Sequence, residues 1–241
     1  MPLNGKTILI TGSARRIGRS LAIAVAKAGG DLVIHHSNSP EAAENTKQEI
    51  LKLGQKVQIF QADFSDPEST SRFIENAFSH HKIDILVNNA SIFSDLSWSD
   101  TKIDDWNKHL AINLTAPFLL SQKFGQSLTG DQYGRIVNLL DWRALRPGPD
   151  HFPYTISKAG LAALTKSLAI ALAPNITVNG IALGAVLPPS DSSSSENIIS
   201  ALPIPRWAEL IEVEETLLYL LTGPSYMTGE IIHLDGGRHL T

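Results

Sequence analysis

Short apolar stretches alternate with longer amphipathic ones along the whole chain. Lys6–Thr11 (KTILIT) is a continuous apolar run, and similar runs follow at Leu32–His36, Val57–Ala62, Ile83–Val87, Ile136–Leu140, Thr177–Ala182 and Glu230–Leu234. Such runs predict strands buried on both faces, as in a parallel sheet. Between them, apolar residues recur at helical spacing. Ile17–Ala28 is stopped by Gly29-Gly30, Pro40–Leu53 by Gly54, and further helices are predicted over about Asp104–Leu128, Pro153–Ala173 and about Glu212–Leu221. One more helix opens at Ser65-Asp66-Pro67-Glu68, where Ser and Glu stand at capping-box spacing with Pro in the first turn. It carries Phe73, Ile74, Ala77 and Phe78 on one face. Strand–helix alternation of this kind predicts βαβ units: a single α/β domain over 1–241, doubly wound, with about seven parallel strands and helices on both faces.

One segment breaks the rhythm. Leu187–Pro205 holds Pro188, Pro189, a Ser/Asp run over 190–195, Pro203 and Pro205. An irregular stretch this long predicts a mobile lid over a substrate, or else plain disorder.

Composition narrows the function classes. A length of 241 residues, 43% of them hydrophobic, suits one large domain with a sizeable core. A net charge of −4 without a basic run carries no nucleic-acid footprint. The chain has no cysteine, which excludes disulfides, thiolate metal sites and a Cys nucleophile. No apolar stretch is long enough to span a bilayer, and Met1–Lys6 leads straight into a strand pattern, so a cytoplasmic protein is expected. His35-His36 and His80-His81 are adjacent pairs whose side chains point apart, with no third ligand at suitable spacing, so no metal is expected.

The first candidate chemistry lies between strand one and helix one. Thr11-Gly12-Ser13-Ala14-Arg15-Arg16-Ile17-Gly18 places a glycine loop at a helix N-terminus, where backbone N–H groups hold a pyrophosphate. A tight strand-to-helix turn has the same pattern. The spacing departs from G-x-G-x-x-G, with Arg16 where a middle Gly is usual. Strand two ends His35-His36-Ser37-Asn38-Ser39, with no acid for a ribose 2′-OH, while Arg15 and Arg16 supply charge for a 2′-phosphate. NADPH is the expected cofactor; a merely solvated helix start is the alternative for the Arg pair.

Tyr154 and Lys158 stand four apart early in a predicted helix and share a face. A nearby ammonium is expected to lower the phenol pKa from its usual value of about 10 and make it a proton donor or acceptor near neutrality. Asp141 follows strand five at the carboxyl edge, where ligands bind in open α/β sheets. Asn113 lies inside a helix, where it needs a partner.

These residues resemble the short-chain dehydrogenase/reductases over essentially the whole chain. The resemblance rests on Thr11-Gly12…Gly18, Asp63, Asn88-Asn89-Ala90, Asn113, Tyr154-x-x-x-Lys158, Val178-Asn179 and Asp235-Gly236-Gly237. It implies a Rossmann-type fold, with Tyr154 as proton donor, Lys158 on the nicotinamide ribose, Asn113 holding a relay water and Asp63 meeting the adenine. It implies further cofactor contacts at Gly12, Arg15, Arg16, Ile17, Gly18, His36, Ser37, Asn38, Ser39, Phe64, Asn89, Ala90, Ser91 and Gly184. Substrate contacts are implied at Arg16, Ser91, Phe93, Asp141, Tyr154 and Leu187, and members are commonly homotetramers.

Four positions depart from the family pattern. Asp141 stands where Ser is usual, Arg16 and Ser91 replace Gly, and Leu183 replaces the Pro of a Pro-Gly pair. Asp141, Arg16, Asn89-Ala90-Ser91 and the ending Asp235–Leu240 look like the pteridine reductase branch, including dihydromonapterin reductases. There an aromatic residue matching Phe93 stacks on the pterin; the alternative is a core residue closing strand four.

An Asp at the Ser position changes the chemistry. An ionised carboxylate cannot donate a hydrogen bond to a carbonyl, and about 4 Å from a developing oxyanion it repels by up to ~4 kcal/mol at an effective dielectric of about 20. Reducing a C=N bond instead builds iminium character, which a carboxylate stabilises. The expected function is NADPH-dependent reduction of dihydropterins (dihydrobiopterin, dihydromonapterin, or a relative such as dihydrofolate). Asp141 as a plain turn cap, a carbonyl or 3-oxoacyl-thioester reductase, and a silent nucleotide-binding module are the alternatives. Asn113, Tyr154 and Lys158 together argue against the last.

Overall fold

The computed structural model describes residues 1–130, 132–187 and 199–241. The strands are β1 (Thr7–Ile10), β2 (Asp31–His36), β3 (Val57–Gln61), β4 (Ile85–Asn88), β5 (Gly134–Asp141), β6 (Ile176–Leu183) and β7 (Ile231–Leu234). They pair in parallel in the order β3-β2-β1-β4-β5-β6-β7. The helices are α1 (Arg16–Lys27), α2 (Pro40–Lys52), α3 (Pro67–His80), α4 (Ile103–Leu110), α5 (Ala116–Ser127), α6 (Phe152–Ala171) and α7 (Leu210–Thr222).

Period-two alternation sorts each strand's side chains into two cores. Ile8 and Ile10 pack with Leu21 and Val25 of α1 and with Val213 and Leu217 of α7. Leu9 points the other way, toward Phe73 of α3 and Leu120 and Phe124 of α5. The order reverses at β1, so the crevice for a ligand opens at the carboxyl ends of β1 and β4. Among the described residues, no helix is long and apolar enough to cross a membrane.

Local details differ from expectation. The cap of α3 is Asp66, whose carboxylate accepts from Glu68 N, while Ser65 turns back to Asp63. The helix expected over 104–128 is interrupted by a π-turn at Ala111–Thr115. Leu183 is the last residue of β6, paired with Asp141 on one side and Leu234 on the other. Most of the expected lid, 188–198, lies outside the described residues. Its described end is anchored: Leu202 is buried, and Ile204 N donates to Gly236 O at 3.0 Å.

Candidate active site

Parallel strands deliver their carboxyl ends to one edge, and the sequence-identified residues follow those ends. Gly12 follows β1, Ser37 follows β2, Asp63 follows β3, Asn89 follows β4, Asp141 ends β5 and Gly184 follows β6.

The glycine loop is built by contacts with its neighbours. Gly12 has φ +64°, and a Cβ there would lie 2.9 Å from Ala90 Cα; at Gly18 it would lie 2.2 Å from Gly12 O. Both glycines are therefore required by close packing within the protein. The Asn89 amide donates to Thr11 O and Gly12 O at 2.8 and 3.0 Å, and Thr11 Oγ1 accepts from the Asn89 and Ala90 N–H groups. Asn89 thus clamps the loop. His35, unsuspected from the sequence, clamps the other side: Gly12 N donates to its Nδ1 at 3.0 Å, and its Nε2–H reaches Ala62 O. Burial lowers its pKa to about 4, so the ring stays neutral with both nitrogens committed to the protein.

The end of this loop that leads into α1 is cationic. Arg15 is the α1 N-cap residue without a side-chain cap, and the first turn holds no acid, which leaves its N–H groups open to an anion. Arg15 and Arg16 are exposed, with no carboxylate within 4.0 Å among the described residues. Arg16 adopts φ +52°, a left-handed conformation that costs an L-residue about 1–2 kcal/mol. Ile17 is half-buried against the first core. Ser37 and Asn38 are exposed beside this end. His36 is buried, and its Nδ1 accepts from Ser39 N at 3.3 Å, which holds the turn after β2. Asp63 is exposed, and its bonds to Ser65 hold its carboxyl below the usual range. Phe64 is buried, stacked on His35 at 4.2 Å, which turns its ring into the core and leaves only its backbone for a cofactor. Gly184 admits no side chain, since a Cβ would meet Asp235 Cα at 2.5 Å. Leu187 packs against the first core. These features fit a dinucleotide phosphate.

At the reacting centre, the Tyr154 hydroxyl donates to Asp141 Oδ2 at 3.1 Å. Asp141 Oδ1 accepts from Arg143 N at 2.9 Å, capping the short turn Trp142–Ala144, so this residue is a cap as well as a Tyr partner. The Arg143 guanidinium lies 3.6 Å from Asp141 and donates to Asp150 at 3.1 and 2.5 Å. Two carboxylates face the Arg143 guanidinium, and Arg238 lies near enough to interact with both of them. Lys158 is buried and donates to Leu139 O at 2.7 Å, with its Nζ 5.7 Å from the Tyr154 ring centre. Burial brings its pKa down to about 8, so it remains largely a cation at neutral pH. Burial and the Asp141 charge drive the Tyr154 pKa well up, contrary to the expected lowering by Lys158. The carboxylate is in contact and the ammonium is not. The Tyr154 hydroxyl therefore keeps its proton at neutral pH.

Asn113 sits in the π-turn with every hydrogen-bonding position of its side chain used. Its Oδ1 accepts from Ser91 Oγ and Ile92 N, and its Nδ2 donates to Ile92 O and Ser157 Oγ. The amide ties the loop after β4 to α6, which places Phe93. That ring is 56% exposed, stacked on His151 at 4.0 Å and edge-on to Tyr154 at 4.7 Å. It does not close the core. Arg143, Ser157 and His151 escaped the sequence reading; an Arg two residues beyond Asp141 was the only local signal.

The arrangement joins a phosphate-compatible loop to a buried Tyr–Lys pair with a carboxylate in contact with the Tyr. Residues 6–198 match the family model described as short chain dehydrogenase. The chain is 36% identical to the 3-oxoacyl-[acyl-carrier-protein] reductase FabG of Aquifex aeolicus, over 98% of each chain. It is 30% identical to the corresponding reductase of Synechocystis, covering 98% of this chain and 97% of that one. Among solved structures it resembles FolM Alternative dihydrofolate reductase 1 from Brucella canis complexed with NADP, at 35% identity and a TM-score of 0.91, over 100% of this chain and 97% of that one. With the parallel sheet, the glycine loop and the Tyr154–Lys158 pair all in place, the chain belongs to the short chain dehydrogenase family of oxidoreductases.

Proposed function

We propose that the protein is an NADPH-dependent pteridine reductase that converts dihydropterins to tetrahydropterins. The observation that carries this reading is the bond from Tyr154 to the Asp141 carboxylate at 3.1 Å. A neutral hydroxyl at position 141 would help Tyr154 polarise a carbonyl. A carboxylate there opposes a developing oxyanion, while it favours a ring nitrogen gaining a proton and positive character. NADPH supplies the hydride when bound. Tyr154 holds the proton for the ring nitrogen, Asp141 stabilises the charge on that nitrogen, and the Lys158 cation offsets the phenolate that forms. The likeness to the FolM structure supports the same substrate class and extends it to dihydrofolate.

The two reductases of 3-oxoacyl carrier-protein thioesters favour a second reading, reduction of a ketone. NADPH oxidation with dihydrobiopterin, dihydromonapterin, dihydrofolate and an acetoacetyl thioester separates the two. Turnover of the thioester alone would overturn the pterin reading. A cytoplasmic homotetramer completes the proposal; Phe118 of α5 and Ile156 of α6 are part-exposed apolar residues available for self-association.

Two further results are expected. NADPH should be preferred to NADH by about 10- to 100-fold in kcat/KM, because Arg15 and Arg16 offer charge-assisted bonds to the 2′-phosphate. Equal kcat/KM for both cofactors would contradict that assignment. Phe93→Leu should raise the pterin KM by several-fold to about ten-fold, since an offset ring face contributes about 0.5–1.5 kcal/mol beyond area burial. The ring is exposed, so stability should change little; an unaltered KM would remove the stacking role.

A further inference from the structure

A row of flat groups leads away from the reacting centre. The Arg143 guanidinium lies 5.9 Å from the Phe93 ring centre and 4.8 Å from that of Trp142. The Arg238 guanidinium lies 4.4 Å from the Trp142 ring. Trp142 and Arg238, together with Arg146, Pro147 and Leu202, line a cavity of about 650 Å³. The reductase chemistry uses none of its wall.

The charges along this row are unevenly met. Arg143 has Asp141 and Asp150. Neither Arg146 nor Arg238 has a carboxylate within 4.0 Å among the described residues, whereas Arg143 and Arg206 do. Arg146 Nη1 donates to Arg238 O at 3.3 Å, which brings a second guanidinium to the same wall. A guanidinium cannot shed its proton to escape such a position. Burial, then the neighbouring Arg143 charge, weigh against the Arg238 cation; the more distant carboxylates of Asp141, Asp150 and Asp235 offset this only in part. An anion in the cavity would relieve both guanidinium groups, and the fork geometry of Arg suits a carboxylate. Trp142, Pro147 and Leu202 give the cavity an apolar wall against which an aromatic spacer can pack.

We propose that this cavity is an anion subsite, in which Arg238 and Arg146 hold a carboxylate carried on an aromatic tail of the substrate, remote from the reacting ring. The identity of that ring rests on the pteridine reductase reading; the subsite does not. It would select a carboxylated pterin over one with a neutral side chain.

The test uses the NADPH-bound enzyme and p-aminobenzoyl-L-glutamate, an aromatic dicarboxylate without a reducible ring, with binding measured by calorimetry. The diacid should bind at least ten-fold more tightly than its diamide. Arg238→Gln should weaken it by about 10- to 100-fold, as expected for loss of a charge-assisted bond, while Arg238→Lys should retain part of the affinity. The same variant should lower the ratio of kcat/KM for dihydrofolate to that for dihydrobiopterin. Should Arg238→Gln fail to fold, salt serves instead, because screening at 0.5 M NaCl should loosen the diacid and spare the diamide. Equal binding of diacid and diamide, or an unchanged Kd in Arg238→Gln, overturns the subsite. Tighter binding of 4′-phosphopantetheine overturns the carboxylate assignment in favour of a phosphate. Binding of the diacid without turnover of any dihydropterin upholds the subsite and removes the pterin reading; turnover without diacid binding does the reverse.

Discussion

Replacing Tyr154 by Phe is expected to lower kcat for dihydropterin reduction by about 10²- to 10⁴-fold, the usual contribution of a positioned proton donor. The substitution deletes one hydroxyl whose hydrogen bond goes to Asp141. Asp141 keeps the Arg143 N–H and guanidinium, so no buried carboxylate is left without a partner. Stability should therefore fall by only about 1 kcal/mol. NADPH affinity, read by fluorescence titration, should be close to that of the parent, which separates a chemical defect from a binding one. A loss of kcat smaller than ten-fold would mean that the proton reaches the substrate by another route.

Asp141→Asn should reduce dihydropterin kcat/KM by about 10²- to 10³-fold, and Asp141→Ser similarly. An ion pair worth up to ~4 kcal/mol at about 4 Å in an effective dielectric of about 20 corresponds to roughly three decades in rate. Asn and Ser are both competent caps for the turn that begins at Trp142, so the short turn survives in either variant. A role in capping alone predicts nearly full activity in Asp141→Asn; a role for the negative charge predicts the loss. Asp141→Ser also restores a neutral donor beside Tyr154 and should raise activity on activated ketones from a trace. Because the Asp141 charge and its hydrogen bond both push the Tyr154 pKa up, either variant should bring that pKa down. Ultraviolet titration of the phenolate would register the change. Unaltered pterin turnover in both variants would refute the C=N argument.

Much of this protein is legible without a structure, because the signals concerned are local. The runs KTILIT and Ile136–Leu140 are apolar throughout since both faces of a parallel strand are covered, and the helices between them follow from their own period. Parallel strands necessarily present their carboxyl ends together, so Gly12, Asn89, Asp141 and Gly184 could be grouped at one edge from chain order alone. The absence of an acid after His36 is likewise a local fact that bears on the cofactor.

What the tertiary structure decided depends on distances between residues far apart in sequence. The spacing of Tyr154 and Lys158 fixes a shared helix face, yet the phenol pKa follows the group in contact. That group is Asp141, from a different strand; Lys158 instead reaches back to Leu139 O. Asn113 was visibly in need of partners, but Ser91, Ile92 and Ser157 come from two other segments. His35 reads only as one of an adjacent pair unsuited to a metal until β1 and β2 lie side by side and put Gly12 N on its ring. Gly12 and Gly18 announce themselves in sequence, while the atoms that require them, Ala90 Cα and Gly12 O, do not. Periodicity and turn chemistry act over a few residues and are written in the chain. Coulomb and hydrogen-bond energies depend on through-space separation, which only folding sets.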